Sequence, residues 1–194
     1  MVFILNHWPL WFISLAMVAA AVIDGWKLKV PNWLTFPLVL SGWALGLLHT
    51  FGWFTSATGV GDVWASLAAT TLGFLLLFPV YAVGGMGAGD VKMQMGFGAW
   101  VGAFYGFASG LWIVFCAFCL AVVIGGVIAA GMILVRGKFH ENLTNTRAIV
   151  ADLFKGPGAA AEKAAQRKPR MHLLPYGIPL CLGFLTFLLY YHWA

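Results

Sequence analysis

Charge is nearly absent from six stretches of this chain, near Phe3 to Ile23, Trp33 to Thr50, Val63 to Val83, Val91 to Ala103, Gly106 to Val135 and Leu173 to Tyr190. A bilayer core of roughly 30 Å needs about 20 apolar helical residues, with shorter runs tolerated when flanking side chains snorkel. The pattern therefore predicts six helices crossing a membrane. The fourth run is short and the fifth long. The turn between them is placed by glycine spacing in the uncharged stretch from Gly102 to Gly110. Only one segment, Arg136 to His172, is clearly polar.

Composition agrees with this pattern. Of 194 residues, 62% are hydrophobic and 9% charged, and the mean hydropathy is +0.90. Soluble domains carry about 25% charged residues, which argues against a water-soluble fold, and an all-α polytopic membrane protein is expected. We read residues 1–194 as a single membrane-embedded unit with a basic loop at about 136–172. The N-terminus has no basic region followed by a small-residue cleavage site, so the first run is expected to be retained.

The basic residues assign sides. With six spans, all 11 Lys and Arg fall on one side: Lys27 and Lys29 after the first span, Lys92 after the third, and the rest in the long loop. Short basic loops stay in the cytoplasm, which predicts both termini on the non-cytoplasmic side. A five-span arrangement would put Lys27, Lys29 and Lys92 opposite the long basic loop. The net charge of +5 is read as attraction to anionic lipid, with no nucleic-acid partner. Cys116, Cys119 and Cys181 lie in apolar surroundings and read as helix filler. No second Cys pair or suitably spaced His accompanies the C-x-x-C, so no metal is expected.

Among the six acidic residues, Glu141, Asp152 and Glu162 sit with bases in the polar loop, and Asp62 is placed to cap the third span. Asp24 and Asp90 differ, because each borders an apolar run, where an ionisable group is a functional candidate by default. The topology puts both at similar depth on the cytoplasmic side. Two carboxylates in one site do not both ionise cheaply, so the pair holds one proton between them. That is the chemistry of an aspartic protease, with an ionised member activating water and a protonated member donating to the carbonyl oxygen or leaving amine. Such a reaction needs no cofactor. Gly87 and Gly89 flank Asp90 and leave room for a backbone or helix to approach it.

Three blocks carry a resemblance. Asp24 to Thr35, with Pro31, Asn32 and Leu34, resembles the first aspartate block of the type IV prepilin peptidases, especially the short members associated with Flp/Tad-type pili. Gly87-Ala88-Gly89-Asp90-Val91-Lys92 resembles their G-x-G-D-x-K block, and Leu174-Pro175-Tyr176-Gly177-Ile178-Pro179 the block that opens their final span. Order and spacing agree. The resemblance implies catalysis by Asp24 and Asp90, cleavage at the cytoplasmic face of a bacterial inner membrane, and a prepilin or pseudopilin helix with a short basic leader as substrate. Gly87, Gly89, Lys92, Pro31, Asn32, Thr35, Pro175, Tyr176 and Gly177 would support the site.

Physical roles follow for several of these. Asn32 or Thr35 is expected to cap the second helix with Pro31 fixing its start, Lys92 to snorkel or act on a nearby carboxylate, Pro175 and Pro179 to shape the last helix, and Tyr176 to hydrogen-bond near the site. Longer members carry an insert with paired C-x-x-C motifs and also methylate the new N-terminus. Asp24 is reached here without that insert, so methyl transfer is not expected. The competing readings are a preflagellin-type or presenilin-like G-x-G-D peptidase, a small transporter or proton relay using the same carboxylates, and a non-enzymatic pilus-assembly subunit.

Overall fold

The computed structural model describes residues 7–27, 29–53, 59–82, 86–136 and 176–193. They form six α-helices with no strand among the described residues. In chain order these are α1 Trp8–Lys27, α2 Asn32–Thr50, α3 Val63–Ala82, α4 Ala88–Tyr105, α5 Phe107–Arg136 and α6 Gly177–Trp193. The basic loop expected at 136–172 lies, beyond Arg136, outside the described residues.

Local chemistry sets the helix ends. Pro9 occupies the first turn of α1, where its missing N–H costs nothing. Asp62 caps α3, its Oδ1 accepting from the Ala65 N–H at 2.7 Å, as an acid before an apolar run should. Helix α4 stops at Gly106, whose φ of 80° and ψ of −174° belong to a region essentially reserved for glycine. The chain reverses there and α5 begins one residue later. Helix α1 starts and ends about one turn later than its hydropathy predicted, because the backbone stays helical past Asp24 to Lys27. Helix α4 likewise extends at both ends, which puts Asp90 inside its first turn.

The bundle is organised around α4, which touches all five other helices and is buried almost continuously from Asp90 to Phe104. Lipid tails are as apolar as Leu, so helices in a bilayer hold together by close packing and hydrogen bonds. Both are seen. A Cβ on Gly98 would run into the Ala69 carbonyl, and one on Gly42 would lie 2.9 Å from the Ala99 backbone. At the junction of α2, α3 and α4, Ser66 Oγ donates to the Ala99 carbonyl at 2.8 Å, with the Gly42 carbonyl as a second, longer acceptor. Trp43 donates to Thr70 Oγ1 at 3.0 Å and Trp100 to the Leu38 carbonyl at 3.0 Å. The Trp100 ring also packs on Phe12 of α1, so one side chain joins three helices.

Helices α1, α2, α3 and α5 are long and apolar enough to cross a membrane. The remaining two depart from the hydropathy rule for separate reasons. Helix α6 is shorter, and α4 carries Asp90, Lys92 and Gln94, of which its neighbours bury Asp90 and Gln94. Large side chains such as Leu15, Trp112, Val122 and Val127 are exposed, as expected of a surface solvated by lipid. Exposed tryptophans mark both ends: Trp26 and Trp33 at the turn from α1 to α2, and Trp53 and Trp64 at the turn from α2 to α3. Aromatic belts of this kind sit at membrane–water boundaries. The protein is thus an all-helical polytopic membrane protein.

Candidate active site

Up-and-down connection brings the end of α1 and the starts of α2, α4 and α6 to one end of the bundle. The three sequence blocks meet there. Asp24, in the last turn of α1, is 3% exposed and Asp90, in the first turn of α4, is 5% exposed. A carboxylate so buried must be hydrogen-bonded or matched by other groups.

Asp24 finds its partner on α6. The Gly177 N–H donates to Asp24 Oδ2 at 2.9 Å. Gly177 is the first residue of α6, so the carboxylate sits against a helix N-terminus, where unpaired N–H groups and the helix dipole favour negative charge. The contact requires glycine: a Cβ at Gly177 would stand 2.9 Å from both Cβ and Oδ2 of Asp24.

Asp90 is held differently. It reaches back to the start of its own helix, accepting from the Gly87 N–H at 3.3 Å through Oδ2, which is one half of a capping box. Its Oδ1 has no partner among the described residues. The charge on Asp24 acts on Asp90, and that of Asp90 acts on Tyr176 in the turn before α6. Burial, and secondarily the Asp90 carboxylate, push the Tyr176 phenol up from its ordinary range, so its hydroxyl stays protonated at neutral pH.

The supporting residues divide. Gly89 is where the first block touches the second, since a Cβ there would lie 2.8 Å from the Val30 carbonyl oxygen. Gly87 caps α4 in an extended conformation, and its Cβ position looks onto Asp90 Oδ2. Pro31 occupies the N-cap of α2, and its carbonyl accepts from Leu34 and Thr35.

Two expected side-chain roles, the caps, are corrected. Neither Asn32 nor Thr35 caps α2, which has no side-chain cap hydrogen bond. Asn32 is instead engaged by Lys92, whose Nζ donates to its Oδ1 at 2.9 Å. Thr35 points inward, fully buried, with no partner for Oγ1 among the described residues. Lys92 also lies over the Phe36 ring at 4.4 Å, so it ties α4 to α2 rather than snorkelling alone. Pro179 is buried in the first turn of α6, while Pro175 falls outside the described residues. Gln94, one turn beyond Asp90, was not singled out in the sequence although it is a polar residue in an apolar run. It is 2% exposed and its Nε2 has no partner among the described residues.

Fold and site together define a helical membrane protein with two buried carboxylates, from different helices, at one end of the bundle. The sequence profile of the type IV leader peptidase family matches residues 11–130, more than half of the chain. The chain belongs to that family and is a membrane protease. No curated protein and no solved structure shows significant similarity to it.

Proposed function

We propose that the protein is an aspartyl endopeptidase that removes the short basic leader from type IV, Flp/Tad-like prepilins at the cytoplasmic face of the bacterial inner membrane. The observation that carries this reading is the pair of buried carboxylates, Asp24 and Asp90, electrostatically coupled and drawn from the first two motif blocks, with the third block supplying the N–H that holds Asp24. The inequality of the two carboxylates assigns their roles. Asp24, against the N-terminus of α6, is the ionised member. Asp90, with Oδ1 unpartnered, carries the shared proton.

The reaction then balances without a covalent intermediate. Asp24 takes a proton from water as the water oxygen bonds to the scissile carbonyl carbon. The carbonyl π electrons move onto its oxygen, which receives the proton of Asp90. Collapse of the tetrahedral intermediate returns that proton to Asp90, and Asp24 delivers its own to the departing amine. Burial matters because water-poor surroundings strengthen each of these interactions.

The orientation rests on the basic residues. All six helices cross, both termini lie outside, and the end carrying Lys27, Lys29 and Lys92 faces the cytoplasm. A prepilin, with its basic leader in the cytoplasm and its apolar helix in the bilayer, would present the scissile bond at that depth.

The test is co-expression with a prepilin in a membrane background lacking such peptidases, following leader removal by mobility and mass. Wild type is expected to cleave. Asp24→Asn and Asp90→Asn, present in the membrane at wild-type level, are expected to lose at least about 10²–10⁴-fold. Full cleavage by either folded variant would contradict the reading. Cleavage of preflagellin in preference to prepilin would reassign the substrate and leave the chemistry intact.

A further inference from the structure

Four buried polar atoms have no hydrogen-bond partner among the described residues: Asp90 Oδ1, Gln94 Nε2, Thr35 Oγ1 and the Tyr105 hydroxyl. Leaving such an atom unpaired is costly, so each calls for a reason. Two of the four lie on consecutive turns of α4. Asp90 and Gln94 are separated by four residues, a rise of about 6 Å on one side of a helix.

Helical side chains lean toward the N-terminus of their own helix, so the Gln94 amide leans toward the turn that holds Asp90. Its stem is fixed from the other side. A Cβ on Gly73 of α3 would stand 2.8 Å from the Gln94 carbonyl oxygen and 3.4 Å from its Cγ, so α3 closes on Gln94 at a residue with no side chain. An oxygen accepting from both groups at about 2.9 Å each spans a gap of just under 6 Å. That span matches the rise between the two residues, so one acceptor atom placed beside this side of α4 is within reach of both orphans.

The geometry points to Gln94 as a second oxyanion donor beside Asp90, an inference that rests on the paired-aspartate reading above. As the carbonyl π pair moves onto oxygen, that oxygen accepts from Asp90 Oδ1–H and from Gln94 Nε2–H. The amide keeps its proton throughout. It contributes a fixed dipole aimed at the developing charge and leaves the proton transfers to the two carboxylates. No described residue competes for the donor, which is the pre-organised condition in which such groups favour the transition state most. Tyr105 lies at the opposite end of α4 and does not enter this arrangement.

The test uses the full chain, purified in detergent, with a prepilin carrying a basic leader and its apolar helix as probe. Gln94→Met keeps the length and packing of the side chain and removes its N–H. The expected result is a fall in kcat of about 10²–10³-fold, KM within about twofold, and thermal unfolding no earlier than wild type, since an unpaired polar group has been removed. Gln94→Glu, which puts an acceptor where a donor is needed, is expected to be at least as slow. A kcat per folded molecule close to wild type for either variant would overturn the inference, as would a loss that only tracks the folded fraction. Asp90→Asn in the same preparation separates the two levels. If it is inactive while Gln94→Met turns over normally, only the Gln94 role falls; if it is active, the aspartate reading falls and this inference with it.

Discussion

Gly177 concentrates two demands on one residue: its N–H holds Asp24 at 2.9 Å, and its hydrogen side chain lets α6 come that near. Gly177→Ala keeps the N–H but adds a Cβ at 2.9 Å from the carboxylate, a clash that must move either α6 or Asp24. Such overpacking costs about 1–3 kcal/mol, and the displaced carboxylate loses its helix terminus. Cleavage per folded molecule is expected to fall at least about tenfold, measured by leader removal against protein quantified in the membrane. The reaction needs one proton on the pair, so kcat/KM should fall both at low pH, when Asp24 is protonated, and at high pH, when Asp90 loses its proton, giving a bell. Asp24 and Asp90 were legible in the sequence because an ionisable group bordering an apolar run stands out. Their partners were not. The bond to Asp24 comes from a backbone N–H 153 positions away, and a backbone donor leaves no side-chain pattern to read. The cap expected from Asn32 failed for a related reason: the side chain suited to capping was taken by Lys92 from another helix.

Helix α4 shows how an element can be recognisable as a span and still be the least typical one. Its polar residues lower its hydropathy because five neighbours, not lipid, surround it. The boundary between α4 and α5 could be narrowed in the sequence only to a glycine-rich stretch; the structure selects Gly106 by its φ of 80°. Gly106→Ala should destabilise the bundle by about 1–3 kcal/mol, seen as earlier thermal unfolding in detergent, while turnover per folded molecule is retained because the turn lies at the opposite end from Asp90. Equal stability of wild type and variant would show that the reversal does not need this backbone conformation. The link between α2 and α4 made by Lys92 and Asn32 is partly exposed. Lys92→Met should therefore shift stability by no more than about 1 kcal/mol.

At the scale of the whole molecule, six apolar runs led to six helices whose ends are shifted by at most five residues, because lipid imposes length and hydropathy on each helix separately. Which helix would sit in the middle was not legible, since contacts between spans depend on small residues such as Gly42 and Gly98 meeting partners far along the chain. The sidedness we propose is testable on the intact molecule. A cysteine introduced at Lys29, on a background with Cys116, Cys119 and Cys181 replaced, should react with a membrane-impermeant maleimide only after the cytoplasmic face is exposed. Labelling from outside in intact cells would invert the topology. The central claim, that Asp24 and Asp90 work as one unit, is met most directly by a double-mutant cycle on leader cleavage with Asp24→Asn, Asp90→Asn and the combined variant. A shared mechanism predicts that either single substitution removes nearly all turnover and that the double variant is scarcely slower than the singles. Independent, additive losses, or substantial turnover in either single variant, would contradict it.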